Sequence, residues 1–366
     1  MADEEEFKKE IILIRNQAMK TEETIQDREW MQRALELAKQ GLGTTSPNPP
    51  VGAVIVKGGR VLGEGYHKRA GEPHAERCAI QDACERGHEG ELQGATLYVT
   101  LEPCSSYGRT PPCTDAILER GIGRVVYGAV DPDKRHRGRA DALLRSEGVQ
   151  VQGRVAEEAC RAILEPWAHT VENGRPWVMA KIAATMDGRI VRKNERWLSS
   201  EEALRYAHQL RAESDAILVG GETVRCDKPA LTIRRPLAPV APDKKQPWRI
   251  VLTRDRTKLP KEAPLFADEN AERTLIYENV GDLKAMLEEL YGRYGIVRLM
   301  LECGGNLLRE FLEQDLVNEW VQVVTPYLSG GKGMLVPGDY LLHEKKMRDM
   351  ETIVCGNDVI LRGKLT

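Results

Sequence analysis

His74-Ala75-Glu76-Arg77-Cys78-Ala79, followed by Thr100-Leu101-Glu102-Pro103-Cys104-Ser105-Ser106-Tyr107-Gly108-Arg109-Thr110-Pro111-Pro112-Cys113, decides the fold of the first half of this 366-residue chain. A zinc ion that activates water needs three protein ligands, an open fourth position and a nearby carboxylate that is not a ligand. His74, Cys104 and Cys113 supply the ligands, and Glu76 supplies the carboxylate that carries protons between water and a leaving amine. The spacing predicts His74 and Glu76 at the start of one helix, Pro103-Cys104 at a strand end, and Cys113 opening the next helix. Orphan N–H groups and the positive dipole at helix N-termini favour thiolates there. A structural zinc site, or three ordinary core residues, is the competing reading, but His-x-Glu together with Pro-Cys at this distance favours the catalytic one. Cys78, one helical turn from His74, reads as a buried thiol rather than a ligand.

Outward from this stretch, Asp27 reads as the N-cap of a helix with Trp30, Met31, Ala34, Leu35 and Ala38 at helical spacing, closed by Gly41. After Ser46-Pro47-Asn48-Pro49-Pro50, apolar runs at residues 51–56 and 61–62 flank Gly58-Gly59, the pattern of a β-hairpin. Helices from His74 to about Arg86, Thr114 to Glu119 and Ala140 to Ser146 then alternate with strands at 96–100, 124–128 and 149–151. Such alternation indicates a layered α/β sheet.

The pattern restarts near Asn173-Gly174-Arg175-Pro176 with a buried strand at 178–184, so three segments are expected: an extension over 1–25, one domain over 26–172 and another over 173–366. Further strands are expected at 216–219, 248–252, 274–277, 297–301 and 319–324, with an exposed loop from Pro236 to Pro247. No internal repeat relates the halves.

The net charge of −3 offers no broad electropositive field, and there is no aromatic stacking platform, which argues for a small-molecule substrate and against nucleic acid. No run approaches the roughly 18–20 apolar residues of a membrane span, and the acidic start is unlike a signal peptide. A cytoplasmic protein, without membrane association and forming a homo-oligomer, is the expectation. Eight cysteines scattered over the whole length suit reduced thiols with a metal site rather than a disulfide framework.

Eight residues separate the metal cysteines, and the interval ends Gly-Arg-Thr-Pro-Pro-Cys; this resembles the deaminases of riboflavin biosynthesis. The likeness extends through Asn48-Pro49, Val51-Gly52-Ala53-Val54, His67, Gly71 and Asp131-Pro132. It continues into the second half at Lys181-Ile182-Ala183, residues 186–190, Gln209-Leu210-Arg211, residues 216–220, Thr223-Val224, Asp227, residues 229–234, and Glu302 with Gly304-Gly305. The resemblance implies a cytidine-deaminase-like αβα layered domain followed by a dihydrofolate-reductase-like α/β domain. It implies zinc-dependent deamination of a diaminopyrimidinone carrying ribosylamine 5′-phosphate, then reduction of its ribose to a ribityl chain with NADPH. Asn48, His67 and Arg109 are implied as substrate-binding residues of the first domain. In the second, the implied set is Lys181, Ser200, Arg211, Arg234 and Glu302 for substrate, with Asp227 as a catalytic participant. Phosphate chemistry independently favours fixed cations such as Arg211 and Arg234, and a ring-opened ribose needs a proton source near its carbonyl. Gly220, Gly221 and Thr223 after one strand, and Gly304 and Gly305 before a helix, would let backbone N–H groups approach cofactor phosphates. A Gly pair by itself reads more often as a tight turn.

Several positions depart from the family pattern. His-Ala-Glu-Val-His becomes His74-Ala75-Glu76-Arg77-Cys78, Ser-His becomes Ser105-Ser106, and Asp-Pro-Asn-Pro becomes Asp131-Pro132-Asp133-Lys134. In the second half the segment 191–196 is short, Tyr327 replaces a common lysine, and Cys303 follows Glu302. Two alternatives stay open on these residues: a paralogue that deaminates another aminopyrimidine or pterin-like ring with an altered or silent reductase half, and a zinc-stabilised scaffold without catalysis. Arg77, Lys134, Arg135, Arg137 and Arg139 read either as an anion site or as a solvated charge run.

Overall fold

A computed structural model describes residues 25–107, 111–134, 136–190, 199–234, 236–238, 240, 244–330, 336 and 341–365. The extension expected over 1–25 therefore lies outside the described residues up to position 24. Two compact units divide between Ala168 and His169.

The first unit begins with helix α1 (25–39), followed by β1 (Gly52–Lys57) and β2 (Arg60–Tyr66). Gly58 and Gly59 both have positive φ, 56° and 75°, as the turn of a two-residue hairpin requires. Then come α2 (Ala75–Glu85), β3 (Thr96–Leu101), α3 (Cys113–Glu119), β4 (Arg124–Ala129), α4 (Arg139–Ser146) and β5 (Gln150–Gln152). The sheet order is β2-β1-β3-β4-β5. β1 is antiparallel to both neighbours, and β3, β4 and β5 are parallel, their crossovers supplied by α3 and α4. Val54, Ile55, Leu97, Val99, Val125 and Val126 are completely buried, so both faces of the sheet are covered.

Small residues set how tightly the helices sit. A Cβ on Gly52 would lie 2.0 Å from the Ala34 carbonyl of α1, and one on Gly63 would lie 2.3 Å from the Ala79 carbonyl of α2. Asp27 corrects the sequence reading. It lies inside the helical stretch, is 2% exposed, and accepts from Tyr98 Oη at 2.8 Å and from Arg124 at 2.8 and 2.7 Å. The helix already runs through residues 25 and 26, so this carboxylate ties α1 to β3 and β4 instead of capping.

Helix α5 (Glu157–Asn173) contains the division between the units. The second unit carries β6 (Trp177–Thr185), α6 (Glu201–Glu213), β7 (Ala216–Gly220), α7 (Gly221–Asp227), β8 (Trp248–Thr253), α8 (Pro264–Ala267) and β9 (Thr274–Glu278). After these come α9 (Leu283–Tyr294), β10 (Arg298–Leu301), α10 (Gly305–Glu313), β11 (Glu319–Thr325), β12 (Met347–Cys355) and β13 (Asp358–Leu365). Eight strands form one sheet in the order β12-β13-β11-β6-β10-β7-β8-β9, parallel from β11 to β9 and closed by an antiparallel hairpin.

Alternate residues of its strands feed two cores. Val178, Ala180, Leu218 and Leu301 pack with Leu287 of α9 and Phe311 of α10; Met179, Ile217, Val219 and Met300 pack with Leu210 of α6 and Val224 of α7. The connections β6 to β7 and β10 to β11 run in opposite directions across the sheet, so right-handed crossovers put α6 and α10 on opposite faces. A crevice opens at such a reversal, beyond the C-terminal ends of the strands.

Two expectations change here. The β12–β13 hairpin has no counterpart among the strands expected from sequence, and the 236–247 loop is not uniformly exposed: Ala238 is 0% and Lys244 8% exposed. Ala238 packs with Ala212 and Ile233 in a small core.

The contact of α2 with β2 yields a prediction. Gly63→Val forces a side chain against the Ala79 carbonyl and should cost about 1–3 kcal/mol or more, read as a lower melting temperature with a parallel fall in bound zinc.

Candidate functional site

The first site forms where α2, α3 and the end of β3 converge. His74 is the N-cap residue of α2, in extended conformation and without a side-chain capping bond, so its ring is turned to other work. Cys104 lies three residues past β3, and Cys113 is the first residue of α3. His74 Nδ1 is 3.5 Å from Cys104 Sγ and 3.4 Å from Cys113 Sγ, and all three ligand atoms lie within 4.8 Å of one another. With zinc bonds of about 2.0–2.1 Å to nitrogen and 2.3 Å to sulfur, a tetrahedral ion separates those ligand types by about 3.6 Å. The imidazole and two thiols therefore fit zinc in both chemistry and spacing.

Backbone groups favour the thiolate form. Cys113 N–H at the start of α3 donates to Cys104 Sγ at 3.2 Å. The Cys113 thiol holds the Cys104 pKa down, His74 acting in the same direction, while the Cys104 sulfur and burial push the Cys113 pKa up. Glu76, in the first turn of α2, is 4% exposed. Burial pushes its carboxyl pKa up, and the Cys104 sulfur adds to this against the pull of His74. Such a carboxyl accepts and releases a proton near neutral pH more readily than an exposed one.

His67 and Asn48 adjoin the trio. The His67 ring stands edge-on to His74, centroids 5.3 Å apart. Its Nδ1 is 3.0 Å from the Pro73 carbonyl, which only accepts, so Nδ1 carries the proton. Nε2 must then accept, which fixes the Asn48 amide with Nδ2 donating at 3.0 Å. Burial lowers the His67 pKa, in keeping with a neutral ring. Arg109 lies outside the described residues.

The departures from the family pattern have local explanations. Arg77 Nη2 donates to the Pro112 carbonyl at 2.9 Å, bracing the residue before Cys113. Cys78, half-buried, faces the Pro73 carbonyl at 3.6 Å and takes no place in the metal trio. Ser106 Oγ meets His136 Nδ1 at 3.2 Å, which sets an imidazole against the interval between the zinc cysteines. Arg137 binds the carbonyls of Asp131 and Pro132, while Lys134 and Arg139 are exposed, as in a solvated loop; Arg135 lies outside the described residues.

Glu102 went unnoticed in the sequence although it stands within Thr-Leu-Glu-Pro-Cys. It is 3% exposed and accepts the N–H groups of Asp131 (3.3 Å), Gly138 (3.0 Å) and Ala140 (3.3 Å), holding the loop that bears His136. Glu102→Gln puts an amide donor against those N–H groups. Ammonia release should fall about tenfold while zinc stays at one per chain, as metal analysis and an ammonia assay on one preparation will show.

The second site lies at the reversal point of the larger sheet. Ala180 of β6 pairs with Leu301 of β10, so the next residues, Lys181 and Glu302, stand level on neighbouring strands. Arg211 of α6 grips Glu302 with two bonds, Nε at 2.7 Å and Nη2 at 2.9 Å, and its Nη1 donates to the Thr232 carbonyl at 3.1 Å. Burial pushes the Glu302 pKa up, but Arg211, with Lys181 and His208 behind it, holds it at about 2. Burial pulls the Lys181 pKa down. Exposed Arg234 is bonded to His208, three residues before Arg211 on α6 and a residue the sequence reading did not single out.

Other expected residues lie apart from these contacts. Ser200 is the N-cap of α6 and its hydroxyl contacts Ala203 N, Asp358 and the Cys355 carbonyl, tying α6 to the β12–β13 hairpin. Asp227 is exposed at the end of α7. Gly220 and Gly304 are the N-caps of α7 and α10, neither with a side-chain capping bond, at the ends of β7 and β10. Gly221 and Gly305 open those helices, and Thr223 lies in the first turn of α7. A Cβ on Gly221 would lie 2.8 Å from Thr253 Oγ1, so packing against β8 accounts for that glycine. Two uncapped glycine starts beside one cationic cluster fit the phosphates of a dinucleotide such as NADPH.

Residues 176–361 match the RibD C-terminal domain family, and residues 24–129 match the cytidine and deoxycytidylate deaminase zinc-binding region. The chain is 37% identical to the riboflavin biosynthesis protein RibD of Synechocystis sp., with 93% of this chain and 97% of that one covered. The RibD of Aquifex aeolicus is 38% identical over 83% of this chain and 88% of its own. Among solved structures, a Thermotoga maritima diaminohydroxyphosphoribosylaminopyrimidine deaminase/5-amino-6-(5-phosphoribosylamino)uracil reductase superposes with a TM-score of 0.83 at 33% identity, covering 94% of this chain and 100% of that one. No helix among the described residues is long and apolar enough to cross a membrane. The chain belongs to the RibD family of riboflavin-biosynthesis enzymes, in which a zinc-dependent deaminase domain precedes an NADPH-dependent reductase domain.

Proposed function

We propose that the first unit deaminates a diaminopyrimidinone bearing ribosylamine 5′-phosphate and that the second reduces the ribose of the product to a ribityl chain. The convergence of His74, Cys104 and Cys113 beside buried Glu76 carries this reading. Zinc bound by that trio supplies a water polarised for attack on the ring carbon bearing the amine. Glu76 takes a proton from that water and delivers it to the departing nitrogen, which leaves as ammonia while the ring carbon becomes a carbonyl. Asn48, oriented by His67, and Arg109 bind the substrate.

In the second unit NADPH, when bound, would supply hydride to C1′ of the ribose, which becomes an imine carbon when ring opening breaks its bond to the ring oxygen. Gly220, Gly221, Thr223, Gly304 and Gly305 hold the cofactor through backbone N–H groups. Lys181 and Arg234 meet the sugar phosphate, Glu302 and Ser200 line the substrate, and Asp227 delivers the proton to the ring oxygen that departs from C1′ and becomes a hydroxyl. Arg211 acts through its charge and through its hold on Thr232, because Glu302 and Thr232 occupy its guanidinium. The proposal includes a cytoplasmic homo-oligomer acting on a small molecule; the charge of −3 and eight free thiols support the first and last of these.

Glu76→Gln keeps the three ligands and removes the proton carrier. Ammonia release should fall by about 10²–10⁴-fold with zinc retained, while NADPH oxidation with pre-deaminated substrate stays at the wild-type rate. Ammonia release at the wild-type rate would rule Glu76 out as the proton carrier.

A further inference from the structure

Residues 230–234 are held almost atom by atom. Arg249, fully buried and paired with Asp268 at 2.7 and 2.9 Å, donates to the Ala230 carbonyl at 3.1 Å. Arg211 takes the Thr232 carbonyl. Gln246 accepts the Ile233 N–H at 2.7 Å and returns a bond to the Ile233 carbonyl at 3.3 Å. Between these, Leu231 is 3% exposed and sits at φ 53°, a left-handed conformation that a bulky side chain adopts only when its surroundings impose it. All this order leads to Arg234.

His208 of α6 completes the hold. Its Nδ1 lies 3.1 Å from the Arg234 backbone N and its Nε2 3.0 Å from Arg234 Nε. Both Arg234 atoms are donors, and an imidazole accepts only at an unprotonated nitrogen, one at a time. The ring therefore serves Arg234 as a neutral acceptor in either tautomer, on its main chain or on its guanidinium. Burial, then the charges of Arg211 and Arg234, pull its pKa down to about 4. Lys181, Arg211 and Arg234 set three cations around the carboxylate of Glu302, a setting that suits an anion such as a phosphate monoester. A charged imidazole would be a fourth cation beside Lys181, Arg211 and Arg234 and could accept no hydrogen bond from Arg234.

We propose that His208 is a positioning residue of the reductase site, whose imidazole presents Arg234 to the phosphate of the substrate by accepting a hydrogen bond from it. This rests on the sugar-phosphate reading of the second unit. It makes affinity for the anionic end of the substrate depend on a side chain that touches the substrate nowhere.

The test is calorimetric titration of ribose 5-phosphate into the full-length chain, as wild type, Arg234→Ala, His208→Phe, His208→Gln and the Arg234→Ala/His208→Phe double variant. Each of Arg234→Ala and His208→Phe should weaken binding about tenfold, and the double variant should be no weaker than Arg234→Ala alone by more than about twofold. His208→Gln, which restores an acceptor, should bind within about threefold of wild type. Wild-type affinity in His208→Phe, multiplied losses in the double variant, equal losses in the Gln and Phe variants, or no binding by wild type each overturn the proposal. The reductase reading fails separately, if NADPH is never oxidised with pre-deaminated substrate while this coupling persists.

Discussion

His74 Nδ1 and the sulfurs of Cys104 and Cys113 come from positions 30 and 39 residues apart in sequence, yet they lie within 4.8 Å of one another. Nearly everything in the first unit serves that convergence. The parallel β3–β4 pair sets Cys104 at a strand end, α3 begins on Cys113, and α2 begins on His74. The ligands can meet only if α2 lies low on the sheet, which is why Gly63 presents no side chain toward it. Ligand binding and folding are then one equilibrium, since metal affinity contributes to the stability of whatever arrangement holds the ligands together.

The second unit solves a different problem with charge. The proposed site lies where the strand order reverses, with backbone N–H groups at two helix starts and a largely buried cluster of Lys181, Arg211, Glu302 and His208. Such a cluster is costly to bury unless each charge is compensated. Arg211 and Glu302 compensate each other in a two-bond pair, and in the proposed function the other cations meet an anion. The neutral imidazole is as important to this balance as the cations.

The metal trio and Glu76 were legible in the sequence because their identity and spacing are the chemistry. The parallel strands were legible as apolar runs, since both faces of each are buried. The β12–β13 hairpin was missed because charged residues interrupt its apolar ones and most of β12 is exposed, though Gly356-Asn357 between two strands was a usable turn signal. Asp27, Glu102, His136, His208 and Arg249 were illegible as site or framework residues for one common reason: each owes its role to a partner at least 19 residues away. The substitutions around Arg77 and Ser106 read in the sequence only as departures from the family pattern. In three dimensions Arg77 braces the segment leading to Cys113, and Ser106 is matched by a histidine from another loop.

In the proposed function two chemistries are joined in one chain, the first producing what the second consumes. Its most direct test is to supply the amino-substrate and NADPH to the zinc-loaded full-length protein and measure ammonia and oxidised cofactor in the same reaction. One ammonia should appear for each NADPH oxidised, with ammonia leading in time. Cofactor oxidation without ammonia, or ammonia with no cofactor oxidised at any substrate concentration, would contradict it.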